Sequence, residues 1–210
     1  MNVKLSSVRF SYLSVFVPRV NKGQPETDEN GKDKRKFSSA LIFNTDSSDA
    51  KAMENAIEQV AKEKWGEKAT GILKKLYSTG KVCLKEGSTR IGEDGEVADG
   101  YEGRLFVNAS AGADKPPAVF NKFGQKITDA TRGAFSGEAR PPFSGDYGQA
   151  MIQVWAQDNQ FGQRINATLL GVALSKFGEP LGRRELSDDD IAQEFDFEQA
   201  PDSLGEMMGE

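Results

Sequence analysis

A mainly β fold with one helical insertion is the class this sequence predicts, and three observations carry it. Strand-like apolar runs recur along the chain between connections rich in glycine, proline and aspartate. Only one stretch, about residues 47–78, repeats its apolar residues at helical spacing. Strands and helices do not alternate, so a parallel βαβ sheet is not expected. The strands are expected to close into a small five-stranded barrel capped by two helices, with a β-sandwich as the alternative. At 210 residues the chain suits one domain over 1–184 and a disordered acidic tail over 185–210.

The first strand is expected over Lys4 to Val17, with Val8, Phe10 and Tyr12 on one face. Residues 18–36 are polar and read as a long surface loop ending in the cluster Lys32, Lys34, Arg35 and Lys36. Phe37 to Phe43 is the second strand. The period then changes. Asp46, Ser47, Ser48 and Asp49 supply capping side chains, and Met53, Ile57, Val60 and Ala61 follow on one helical face. That helix spans about Asp49 to Trp65, and a shorter one covers Lys68 to Tyr77. From Lys81 the chain returns to strand and turn, with strands over Val82–Lys85, Gly103–Ala109, Gln149–Gln157 and Arg164–Leu174. Ala150, Ile152, Val154 and Ala156 face a core, leaving Met151, Gln153 and Trp155 on the opposite side. Phe-Gly followed by Gln or Glu recurs at Phe123, Phe161 and Phe177. There glycine suits a hairpin turn, and the phenylalanines either serve the turn or offer exposed rings. Short strands, one helical insertion and this length suit the oligonucleotide/oligosaccharide-binding barrel, the OB-fold.

Histidine is absent, which removes Ser-His-Asp and Cys-His couples and imidazole-held metals. The single cysteine, Cys83, excludes an internal disulfide and reads as a buried thiol between Val82 and Leu84. Gly31-Lys32 and Gly80-Lys81 lack the Ser or Thr of a phosphate-binding loop. Residues 26–37 open like a calcium loop but carry Phe37 where a bidentate glutamate is needed. Neither an enzyme nor a cofactor is expected. The remaining catalytic option is a metal-dependent nuclease using carboxylates such as Asp146 and Asp158. The longest apolar stretch, Leu169 to Leu174, is far too short for a bilayer, and nothing after Met1 resembles a signal peptide. A cytosolic protein without membrane attachment is expected.

Charge is unevenly placed. Of 32 acidic residues, 10 lie between Glu185 and Glu210, a stretch without Lys or Arg, so all 27 basic residues belong to the body. A cationic body with an anionic tail points to a polyanionic ligand that the tail imitates. Asp188, Asp189 and Asp190 mimic phosphates, and Phe195 and Phe197, set among acids, mimic bases. A flexible tail of this length reaches about 27 Å, beyond the radius of gyration of about 16 Å expected for its domain. Tethering gives it a high effective concentration, so it competes for the groove and is freed when ligand displaces it.

A single nucleic-acid strand is gripped by a basic groove with aromatic rings under the bases. The phosphate contacts expected here are Lys34, Arg35, Lys36, Arg104, Lys115, Lys122, Arg140 and Arg164. The stacking candidates are Tyr101, Phe106, Phe143, Tyr147 and Trp155. Phe106, between Leu105 and Val107, reads equally as core, and Trp155 equally as a second core face. Tyr101, Phe143 and Tyr147 lie among glycines and prolines, where burial is harder to arrange. The rival reading is an adaptor or structural protein whose tail binds a basic protein partner and no nucleic acid.

Several segments carry a resemblance: Val8–Leu13 (VRFSYL), Arg104–Ala109 (RLFVNA), Gly148–Trp155, Arg164–Gly171 (RINATLLG) and Phe177–Pro180 (FGEP). With the acidic tail, they make the chain resemble the replicative single-stranded DNA-binding proteins of tailed bacteriophages, within a family formerly known as a domain of unknown function. The tail departs from the related pattern by closing on Gly205–Glu210, without a terminal phenylalanine. The resemblance implies single-stranded DNA as ligand and a role in phage DNA replication, recombination or repair. It also implies phage or host DNA polymerase and helicase-primase as tail partners, and the cytoplasm of the infected bacterium as location. Monomer and homodimer both stay open.

Overall fold

Strand β1 (Asn2–Arg19) organises the fold, because it pairs antiparallel with β2 (Lys36–Asn44) on one side and β7 (Tyr147–Asn159) on the other. This architecture is seen in a computed structural model that describes residues 1–20, 23–92 and 94–181. The tail positions Asp188, Asp189, Asp190, Phe195 and Phe197 lie outside the described residues. Beyond β2 lie β4 (Arg104–Gly112) and β3 (Leu84–Glu86), and beyond β7 lie β8 (Gly162–Lys176), β5 (Ala118–Phe120) and β6 (Lys126–Ile127). The sheet thus runs β3-β4-β2-β1-β7-β8-β5-β6. Among the described residues, eight strands stand where five were expected. The unforeseen β5 and β6 are three and two residues long, too short to show a period.

Strand β1 bends where its register slips, once against β7 and twice against β2. Against β7 the register slips between Leu5 and Val8, freeing the amides of Ser6 and Ser7. Both donate to the Asp49 carboxylate, each at 2.8 Å. Asp49 is buried in the first turn of α1 (Ser48–Trp65), so one side chain ties the helix start to the bend. Against β2 the register slips between Ser11 and Ser14. This overturns the expected face of β1: Val8 and Phe10 point into the main core, but Tyr12 turns out, while Ser11, opposite Ala40, is buried on the other face of the sheet. Gly148 lets Phe10 approach, since a Cβ there would lie 2.6 Å from the Phe10 ring.

The helical segment runs from Ser48 to Ser78. Ser47 caps it, its hydroxyl accepting from the Ala50 amide at 3.1 Å. It breaks at Gly66, whose φ of 55° disfavours a Cβ. Beyond a 3₁₀ turn, α2 (Ala69–Ser78) packs back on α1. Met53, Ala56, Ile57 and Val60 of α1 join Leu5, Val8, Ile152 and Leu169 of the sheet in one core. Among the described residues no helix is long and apolar enough to cross a membrane.

A second, smaller cluster occupies the other face of β2 and β4. Ala40, Ile42 and Phe106 are covered there by Tyr101, Val97, Ala98 and Leu181. Tyr101 is 0% exposed and meets Phe106 edge-on at 5.0 Å between ring centres.

Replacing Asp49 with alanine removes the shared acceptor of the Ser6 and Ser7 amides. We expect a loss of about 3 kcal/mol in urea denaturation, with Asp49→Asn, which keeps one acceptor oxygen, losing less.

Candidate nucleic-acid interface

The segment after α2 crosses between two distant strands. Val82 bridges Ile165 of β8 in parallel, and the Ile165 amide donates to the Lys81 carbonyl at 3.0 Å. Two residues beyond Val82, Leu84 pairs with Val107 of β4. Val82, Cys83 and Leu84 are buried, so the lysines flanking them, Lys81 and Lys85, border the outer surface. Burial pushes the Cys83 thiol up to about 12, which leaves it unreactive. Around this crossing lies a recess of about 380 Å³ lined by Lys36, Lys81, Lys85, Arg164 and Trp155, with amides and hydroxyls between them. None of the described side chains lining it is acidic. Trp155 is 41% exposed, and its indole N–H donates to the Thr168 hydroxyl at 3.1 Å, which fixes the ring across β7 and β8. Four cations around a fixed, accessible indole suit a phosphate chain that carries stacking bases.

A second cleft, of about 310 Å³, lies where β1, β2 and β4 meet the start of β7, and contains Arg9, Asn44, Arg104 and Tyr147. Arg9 donates to the carbonyls of Gly145 (3.0 Å) and Glu179 (2.9 Å), and its guanidinium lies 5.3 Å from the Tyr147 ring centre. Arg104 donates to the Asn44 side-chain oxygen. Glu102 also lines the cleft, so its field is weaker than that of the first recess.

The structure divides the residues expected from sequence. Lys36, Trp155 and Arg164 meet in the first recess, and Arg104 and Tyr147 in the second cleft. Lys34 and Lys115 are exposed on loops outside both. Arg35 is held by Asp33 at 2.7 Å. Lys122 pairs with Glu138 and lies 5.2 Å from the Phe177 ring centre. Phe143 and Phe161 are exposed on their loops. Tyr101 and Phe106 are corrected: both are core residues, sealed by chain segments distant in sequence, and have no face for a base. Arg140 is corrected too. Its guanidinium forms a two-pronged pair with Asp146 (2.7 and 2.8 Å) and lies 4.1 Å from the Phe177 ring centre, so it is committed to structure. Asp146 also accepts the amides of Phe143 and Gly178, which leaves that carboxylate no freedom to hold a catalytic metal. Asp158 accepts from the Trp65 indole and Gln163.

Sequence reasoning missed Arg9, Lys81 and Lys85. Each flanks an apolar strand residue, the signal of an outward position at a strand, but only the crossing brings Lys81 and Lys85 to Arg164.

The chain matches, over residues 1–203, the family described as Enterobacter phage Enc34, ssDNA-binding protein, and it belongs to that family. No curated protein matches it. Among solved structures, the single-stranded DNA-binding protein from bacteriophage Enc34 is similar at 25% identity and a TM-score of 0.61, covering 91% of this chain and 89% of that one. The same phage protein in complex with ssDNA gives 24% identity and a TM-score of 0.63, over 86% and 89%. The gp2.5 single-stranded DNA-binding protein encoded by bacteriophage T7 shares the fold at 12% identity and a TM-score of 0.51, over 93% and 95%.

The Arg140–Asp146 hub is joined to β1 beside the second cleft, since the Phe10 amide donates to the Asp146 carbonyl at 2.8 Å. Burial pushes the Asp146 carboxyl up, but Arg140 and the amides of Phe143 and Gly178 together outweigh it and hold it below its ordinary 3.8. A carboxyl that is more acidic in the folded chain adds stability that is full above the unfolded value. That stability is lost as pH falls from 3.8 through the lower folded value. We expect Asp146→Asn to be less stable than wild type at pH 7. The difference should shrink in chemical denaturation series taken down to pH 3.

Proposed function

We propose that the chain binds single-stranded DNA without reading its sequence, along the surface that holds Lys36, Lys81, Lys85, Arg164 and Trp155. That recess is the observation on which the proposal rests, and membership of a family described by ssDNA binding supports it. Phosphates neutralised by lysine and arginine supply affinity, while stacking on the fixed indole accepts any base. The protein acts by binding, without catalysis. The crossing of residues 81–86 between β8 and β4 supports reading the sheet as an OB-like barrel closed at that seam. On this reading residues 1–184 form the binding domain. The tail over 185–210, with Asp188–Asp190, Phe195 and Phe197, competes for the groove and, once displaced, recruits polymerase or helicase-primase during replication, recombination or repair. It would work in the cytoplasm of the infected host, as monomer or homodimer.

The test is titration of a 30-mer oligo(dT), competed by duplex of equal length. Preference for the single strand supports binding. No retardation of either would point to the adaptor reading. With about four phosphates neutralised, the log–log salt slope should be near −3, a loss of roughly fifty-fold between 50 and 200 mM. Lys85→Ala should flatten that slope by about 0.7, whereas Trp155→Ala should weaken binding without changing it. A chain ending at Leu186 should bind more tightly than the full chain at low salt, and equal affinities would end the competition model.

A further inference from the structure

Tyr12 is, among the described residues, the one non-glycine residue with positive φ, at 49°. A side chain is costly in that region, and outliers of this kind persist where surrounding structure enforces them. Here the enforcing feature is the bulge between Ser11 and Ser14. It breaks the alternation of β1 beyond Phe10 and leaves an aromatic ring 56% exposed. Unbroken alternation would have placed the ring inside with Val8 and Phe10. The fold therefore accepts an unfavourable backbone and gives up the burial of a large ring, both for the same exposed phenol.

The ring is not bare. The Arg90 guanidinium lies over it, 4.4 Å from its centre. Arg90 is seated by its backbone, its amide donating to the Gly87 carbonyl (2.9 Å) and its carbonyl accepting from Ala98 (2.8 Å). Arg90 also lines a recess of about 590 Å³ that shares Lys85 and Asn108 with the basic recess at Trp155. Glu54 and Glu86 line that recess as well, so Lys85 and Arg90 are the two cations of a mixed surface along which a strand held at Lys85 can reach the Tyr12 ring.

We propose that Tyr12 and Arg90 form a second base-stacking station, in which one unpaired nucleobase takes the ring face that Arg90 covers in the free protein. A base is a flat π surface joined to a phosphate. The phenol takes the first, and the displaced guanidinium takes the second or covers the base's free face. Until DNA arrives, Arg90 shields an exposed ring from other contacts. This inference rests on the ssDNA-binding reading above.

The strained backbone makes the test discriminating, because glycine relieves the strain and removes the ring together. Tyr12→Gly should melt no lower than wild type, yet bind oligo(dT) about 5- to 150-fold more weakly with the salt slope unchanged. Tyr12→Phe should bind like wild type. Irradiating the wild-type chain with 5-iodouracil-substituted oligo(dT) should cross-link the peptide containing Tyr12. A Tyr12→Gly chain as tight as wild type would overturn the proposal, as would cross-links that form at other aromatic residues and never at Tyr12. A wild-type chain that fails to bind the oligonucleotide would overturn the parent reading, and this inference with it.

Discussion

The pair of hydrogen bonds from Ser6 and Ser7 to Asp49 is the constraint on which the rest of the structure hangs. A long strand flanked on both sides follows one smooth twist unless extra residues are inserted, and each insertion exposes backbone amides that need a partner. Asp49 meets that need from the start of the neighbouring helix, so bend and helix position are fixed together. With β1 bent there, β7 follows it on one edge and β2 on the other. The turn at Gly145 and Asp146 is then drawn against Phe10. The cleft around Arg9 and Tyr147 follows from this curvature, whereas the recess at Trp155 follows from the crossing of residues 81–86.

Pairing separates two sets of cations in this protein. Arg35, Lys122 and Arg140 have carboxylate partners, two of them beside aromatic rings, and each ties a loop to itself or to a neighbour. Lys36, Lys81, Lys85 and Arg164 converge from β2, the crossing segment and β8, where none of the described lining side chains is acidic. Bringing like charges together is unfavourable by itself. An arrangement that does so around an accessible indole is suited to an anionic ligand, since bound phosphates remove the repulsion they meet.

The parts that sequence revealed are those whose period is long enough to count. The stripe Met53, Ile57 and Val60 identified α1, and the alternation from Ala150 to Ala156 set the faces of β7. The misread parts depend on distant partners. Tyr101 sits among glycines, which argued for exposure, yet Val97 and Leu181 close over it and Phe106 meets its edge. Arg140 and Asp146 are six residues apart in a proline-containing loop, and their pairing cannot be seen in any periodicity. Lys81 and Lys85 belong to the basic recess only because Val82 reaches Ile165, a contact between residues more than eighty positions apart.

The contrast between Tyr101 and Tyr12 shows why side-chain type alone could not resolve the interface. The sequence environment of Tyr101, glycine and acid, favoured solvent, while that of Tyr12, within an alternating apolar strand, favoured the core. Each ended in the opposite place. For Tyr101 the reason is ordinary, because burying a ring against Ile42 and Phe106 is favourable and needs only a loop to fold over. For Tyr12 burial was available along the same strand and was forgone at a positive φ. A core residue follows the gain from burial, and a ring held outward against that gain is set by something else. In a surface carrying Arg90, Lys85 and Trp155, a ligand with both π faces and negative charge supplies that reason.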